Sequence, residues 1–189
     1  MITERLKAET AEHHKATEAV SFGHKIMSGT LTREEYTILI EKNYILHVLI
    51  ENALVSSGLV PAEFELENRL KTQSLLNDLN LLNHPVPTVP ELKVTFSTVA
   101  EALGAMYVVE GATLGGAYIY KALQRNPEFA SLNGFNYYAV YGEKIGPNWK
   151  SFQEAINKHI NTRELEDKTI ESAKFTFDLF KAIFVTPAA

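Results

Sequence analysis

The stretch Leu103-Gly104-Ala105-Met106-Tyr107-Val108-Val109-Glu110-Gly111-Ala112-Thr113-Leu114-Gly115-Gly116 reads as helix, yet it carries four glycines. Thr98, with Glu101 three residues on, is an N-terminal capping signature, and the helical pattern then runs to about Gln124. Each glycine inside a helix costs about 0.5–1 kcal/mol relative to alanine, so four in one segment ask for a compensating contact. At about 100° per residue, Gly104, Gly111 and Gly115 fall within roughly 40° of one another and leave a stripe free of side chains. Such a stripe serves either close helix–helix packing or the close approach of a flat, bulky ligand. The Gly115-Gly116 pair also marks a kink where backbone polar groups become available.

Outward from this segment the chain continues to read as helices. Residues 2–20 form an amphipathic stretch without Gly or Pro, and Ser21-Phe22-Gly23 and Ser28-Gly29-Thr30 break it. Thr32-Arg33-Glu34-Glu35 is a capping box opening a long helix with Tyr36, Leu39, Ile40, Tyr44, Leu46, His47, Ile50 and Leu54 on a broad apolar face, ending near Ser56-Ser57-Gly58. Residues 62–82 read as another helix. The prolines in Asn83-His84-Pro85-Val86-Pro87-Thr88-Val89-Pro90 remove donors and interrupt it. After loops around Asn126-Pro127 and Leu132-Asn133-Gly134, helical patterns return at 137–142, 147–160 and 163–184. No alternation long enough for a sheet appears, so the fold class is all-α, a helical bundle with residues 1–189 as a single domain.

Composition narrows the function classes. With 18 Lys and Arg against 23 Asp and Glu, the net charge of −5 argues against broad attraction to nucleic acid. The absence of cysteine removes disulfides, thiolate nucleophiles and zinc–sulfur sites together. The charged start Met1-Ile2-Thr3-Glu4-Arg5-Leu6-Lys7 lacks the apolar core of a signal peptide, and no apolar run reaches the roughly 18 residues of a membrane span. A soluble, cytoplasmic protein is the expectation.

In the first helix Lys7, His14 and Glu18 stand at i, i+7 and i+11 and share a face. A histidine there can ligate a metal through one ring nitrogen while Glu18, one turn on, orients the other and fixes the tautomer. Read without that chemistry, His13-His14 is a solvated pair and Glu18 a surface partner. His13 lies about 100° from His14 and cannot face the same ligand.

These segments together resemble one family. Leu6-Lys7-Ala8-Glu9-Thr10-Ala11-Glu12-His13-His14-Lys15-Ala16-Thr17-Glu18 is similar to the N-terminal heme-ligand helix of heme oxygenases, with Thr10, His14 and Glu18 as its skeleton. The glycine segment resembles the distal helix of bacterial members, and Tyr141-Gly142-Glu143 with Trp149-Lys150-Ser151-Phe152 resembles their later helix. The resemblance implies heme held between the first helix and the kinked one. Heme would be both cofactor and substrate, with His14 on the iron and Gly111, Gly115 and Gly116 letting backbone come close on the distal side. Ala112 stands where many members carry an Asp that organises distal water, and Met106 where some carry a propionate-contacting Tyr. Tyr107 points about 100° away from that position, leaving Lys7 and Lys150 as the candidate propionate contacts.

The activity so implied is oxidative cleavage of heme to biliverdin, iron and carbon monoxide, with dioxygen and an external electron donor such as a ferredoxin or flavin reductase. A non-catalytic heme or tetrapyrrole carrier of the same fold is the rival that Ala112 motivates. A thiamin-degrading helical enzyme would need the cysteine this chain lacks. Of the other histidines, His47 is expected to be a hydrogen-bonded core residue and His84 an exposed loop residue. Phe177, Phe180 and Phe184 follow helical spacing and are expected in the core.

Overall fold

Thr32 accepts the Glu35 N–H at 3.2 Å while the Glu35 carboxylate accepts the Thr32 N–H at 3.1 Å, so the capping box closes as its sequence requires. The computed structural model describes residues 1–132 and 134–186. Asn133 of the expected loop and the last three residues of the expected domain lie outside the described residues. Among those described there are nine α-helices and no strand: α1 (Ile2–Glu9), α2 (Ala11–Val20), α3 (Gly23–Ser28), α4 (Arg33–Ser57), α5 (Thr72–Leu81), α6 (Val99–Gly111), α7 (Gly116–Arg125), α8 (Ile145–His159) and α9 (Arg163–Val185). None of them is long and apolar enough to cross a membrane.

The long helix α4 threads two hydrophobic clusters. Its C-terminal half brings Leu46, Ile50 and Leu54 to a core shared with Leu6 of α1, Leu103 and Met106 of α6, Phe152 and Ile156 of α8, and Phe177 and Phe180 of α9. Its N-terminal half brings Tyr36, Leu39 and Ile40 to a second cluster with Leu75 and Leu79 of α5, Leu123 of α7, Phe129 and Phe135. Both clusters are built mainly from apolar side chains, the second with the buried rings of Tyr36, Tyr137 and Tyr138 among them, and such burial is the main source of stability in a helical domain. The expected core phenylalanines are there, Phe184 partly buried at the edge.

Four expectations change in the structure. The 2–20 helix is two helices, because the buried Thr10 hydroxyl donates to the Leu6 carbonyl at 2.6 Å and such back-bonding bends a helix. The 62–82 stretch is two 3-10 turns (Ala62–Phe64 and Leu66–Arg69) before α5, with Glu65 left-handed at φ 47° and Leu70 extended. On one α-helix Arg69 and Lys71 would diverge by about 200°, whereas this irregular backbone sends both inward. The helix expected to run on to Gln124 stops at Gly111 and restarts at Gly116. Residues 137–142 are successive turns, because Asp78 captures the Asn136 and Tyr137 N–H groups at 2.6 and 2.9 Å and Gly142 turns left-handed at φ 50°.

Helix α9 is the support on which the two functional helices are mounted. It packs on α6 where Gly104 meets Thr169 and Ser172, with the Ser172 hydroxyl donating to the Glu101 carbonyl at 2.6 Å. It packs on α2 around Phe177 and Asp178, and α1 is tied to it by Arg5, which donates to Glu166 at 2.7 Å and Asp167 at 2.8 Å.

Candidate active site

Helix α2 presents His14 and Glu18 one turn apart, His14 Nδ1 facing Glu18 Oε2 at 3.7 Å, both side chains well exposed (60 and 64 %). The imidazole edge rests against Phe177 of α9, ring centroids 5.9 Å apart. With Nδ1 directed at the carboxylate, Nε2 is left open to a ligand. His13 turns instead toward α9, its Nε2 3.7 Å from Asp178 and its Nδ1 buried with no hydrogen-bond partner among the described residues. Lys7 is exposed on α1, beyond the bend at Thr10, whose hydroxyl is committed to the backbone.

The glycines of the distal segment have different surroundings. A side-chain carbon on Gly104 would lie well inside van der Waals contact with the Thr169 carbonyl oxygen and 2.9 Å from Ser172 Cβ, so its bareness serves packing. Gly116 is buried against the Tyr138 backbone, whose oxygen would stand 3.0 Å from an added carbon. Gly111 faces the Trp149 ring at an ordinary 3.6 Å, and Gly115, the cap before α7, is open apart from Ile119 of that helix at 4.0 Å. The stripe expected of one regular helix thus comes apart: the helix ends at Gly111, Gly104 is filled by α9, Gly111 borders Trp149, and Gly115 stands open past the break.

The break between α6 and α7 frees backbone groups there. Thr113 and Leu114 N–H groups return to the Glu110 and Gly111 carbonyls at 3.2 and 3.0 Å. The Ala112 carbonyl and the Gly115 N–H find no hydrogen-bond partner among the described residues. Ala112 itself is exposed. Lys150 follows Trp149 on α8, 78 % exposed and 3.8 Å from Glu154.

Behind the glycine face lies a buried ionic network that sequence reasoning missed. The Glu110 carboxylate takes Arg69, Lys71 Nζ at 2.7 Å and the Tyr141 hydroxyl at 2.9 Å. Lys71 also donates its backbone N–H to Glu51 at 2.7 Å, and Glu51 further accepts from Thr72 Oγ1 at 2.6 Å and lies 2.8 Å from His47 Nδ1. His47 Nε2 meets the Tyr137 hydroxyl at 3.1 Å, so His47 is the hydrogen-bonded core residue expected. His84, expected exposed, is half-buried and meets Glu41 at 3.1 Å, since the proline segment folds back to α4. The one sequence signal for the network is Glu110, the only charged residue of α6 beyond Glu101 in its first turn.

Burial drives the Lys71 ammonium down against the pull of Glu110, and drives the Tyr141 hydroxyl up, with Glu110 adding to the rise. Burial pushes the Glu51 carboxyl up as well, but hydrogen bonds from His47, Thr72 and the Lys71 N–H outweigh it and hold it at about 2, below the ordinary 4.5. A depressed carboxyl adds stability that is complete above its ordinary value and is lost as pH falls through its folded value. The expected contribution at neutral pH is about 3 kcal/mol. Thermal unfolding of Glu51→Gln should start well below wild type at neutral pH and converge on it as pH drops from about 4.5 toward 2; parallel curves across that range would remove Glu51 as the cause.

Two clefts of about 370 and 480 Å³ lie elsewhere, on either side of Thr95-Phe96, and touch none of His14, Gly111 or Gly115. Among the described residues no three His, Asp or Glu side chains gather as a metal site.

The heme oxygenase family model matches residues 1–186. Heme oxygenase PigA of Pseudomonas aeruginosa is 28 % identical over 182 residues, covering 94 % of this chain and 87 % of that protein. The fold is similar to that of NO- and CO-bound heme oxygenase from Neisseria meningitidis (TM-score 0.79, 22 % identity, 97 % and 90 % of the two chains). It is likewise similar to heme oxygenase from Leptospira interrogans (0.77, 20 %, 97 % and 98 %) and to the heme complex of heme oxygenase-1 from the cyanobacterium Synechocystis (0.75, 15 %, 97 % and 90 %).

Proposed function

Since this chain belongs to the heme oxygenase family, we propose that it cleaves heme oxidatively to biliverdin, releasing iron and carbon monoxide and drawing on dioxygen and external electrons. The observation that carries the reading is His14, exposed on α2 with Nδ1 turned to Glu18 and Nε2 open. An imidazole with one ring nitrogen turned to a carboxylate and the other open is the kind of donor a heme iron takes. Gly115 supports the reading from the other helix, because a bare backbone with only Ile119 as near as 4.0 Å allows the close approach of a flat ring.

When bound, heme supplies the iron that activates dioxygen and the porphyrin edge that is oxidised. The protein's own work is to hold, orient and screen. His14 holds the iron from α2, and Glu18 keeps the ring oriented. Gly111 and Gly115 keep side chains off the distal face, with Trp149 beside Gly111, whereas Gly116, expected to share that face, is bare because the Tyr138 backbone packs against it. The Ala112 carbonyl and Gly115 N–H are an acceptor and a donor with which the turn can hold an ordered water, the task that an Asp side chain at position 112 would otherwise perform. Lys7 and Lys150, both exposed, serve as propionate partners worth little individually. A cytoplasmic ferredoxin or flavin reductase is the matching electron source.

The test is aerobic turnover of added hemin with a reductant, in the presence of catalase because free hydrogen peroxide degrades heme without an enzyme. Biliverdin is the expected product. A stable ferrous or oxygenated spectrum, or product that disappears when catalase is added, would assign the chain instead as a heme carrier, the reading that Ala112 favours.

A further inference from the structure

Glu110 occupies the last full position before the distal helix opens, and both of its ends are tied. Its carboxylate, 2 % exposed, receives Arg69, Lys71 and Tyr141, none of them from its own helix. Two of those partners are fixed in turn. Arg69 donates to the Phe64 carbonyl at 2.7 Å and the Asn148 carbonyl at 3.3 Å, and Lys71 to the Arg69 carbonyl at 2.7 Å. At the other end, the Glu110 carbonyl accepts both the Thr113 N–H at 3.2 Å and the Thr113 hydroxyl at 2.7 Å. Thr113 is itself buried.

Gly111 has no side chain with which to fix itself. The residue before it and the turn after it therefore decide where its backbone stands, and Glu110 controls both. The link to Asn148 joins this point to the segment that carries Trp149, the ring facing Gly111. We propose that Glu110, acting with Thr113, is a positioning residue that sets the place of the Gly111–Gly115 backbone over the reacting face. The inference rests on the heme reading above and adds to it the side chains that aim the bare segment. A backbone held this way departs from its place by fractions of an ångström when one tie is cut, and a displacement of about 1 Å far from the chemistry can cost on the order of 100-fold in rate.

The test compares wild type with Thr113→Val, Thr113→Ser and Glu110→Gln. Hemin titration reads the His14 side, the carbon monoxide stretching band of the ferrous complex reads the distal side, and steady-state kinetics separates kcat from KM. Thr113→Val and Glu110→Gln should bind hemin within about threefold of wild type, shift or split the carbon monoxide band, and lose about tenfold or more in kcat. Thr113→Ser keeps the hydroxyl and should restore both band and rate, a rescue that simple loss of packing volume does not give. If Glu110→Gln fails to fold, the Thr113 pair decides alone. Wild-type band and kcat in Thr113→Val would overturn the positioning role while leaving the heme reading intact. Failure of the wild-type protein to bind hemin would remove that reading, and the positioning role with it.

Discussion

Replacing His14 with alanine is expected to abolish the histidine-ligated heme spectrum and to lower hemin affinity by at least about tenfold, with no loss of folding. The side chain is mostly exposed and its one close polar neighbour is Glu18 at 3.7 Å, so its removal leaves no buried group unpaired. What disappears is the only ring nitrogen on this face of α2 that stands open. Removal of partners that merely orient a metal ligand typically costs 10–100-fold, so loss of the ligand itself should cost no less. His13→Ala is the matched control. His13 is turned toward Asp178 with one ring nitrogen buried, so that variant should keep the heme spectrum and disturb only the α2–α9 contact. The opposite pattern, spectrum lost in His13→Ala and kept in His14→Ala, would move the ligand by one residue.

Gly104→Ala and Gly115→Leu should fail in opposite ways although both belong to one glycine-rich segment. At Gly104 the new carbon meets a backbone carbonyl that can move only if α6 and α9 part, and overpacking of this kind costs about 3 kcal/mol. For a chain of this size that is a fall of about 10 °C in Tm. At Gly115 nothing beyond Ile119 of α7 stands within 4.0 Å, so even a leucine should fold normally, yet it would project into the space proposed for the ring and prevent hemin binding. Thermal unfolding and hemin titration of the two variants separate the effects. A destabilised Gly115→Leu or an unaffected Gly104→Ala would reverse this division of the segment.

The His14 pair was legible because four residues make about one helical turn, and a bend at Thr10 upstream leaves the spacing within α2 untouched. The kink was legible as a glycine pair, but its form was not: the sequence pattern ran unbroken to Gln124, whereas the chain leaves the helix at Gly111 once the Glu110 carbonyl is taken by Thr113. Arg69 and Lys71 looked like two polar residues of an ordinary amphipathic helix. Their inward course depends on Glu65 turning left-handed and on a carboxylate about 40 positions away in the chain.

From the sequence alone came the helical class, the caps and prolines that delimit it, the face shared by His14 and Glu18, and a glycine-rich segment in which the helix is interrupted. All of these are set by periodicity and local backbone chemistry, which a chain carries before it folds. Tertiary structure alone decided which glycines are filled by a neighbour and which stay open, and which charges stand behind them. Bareness is a property of a residue, but what occupies the space beside it depends on how α6 meets α9 and α8, and the partners of a buried carboxylate are settled only when distant segments exclude water from it together.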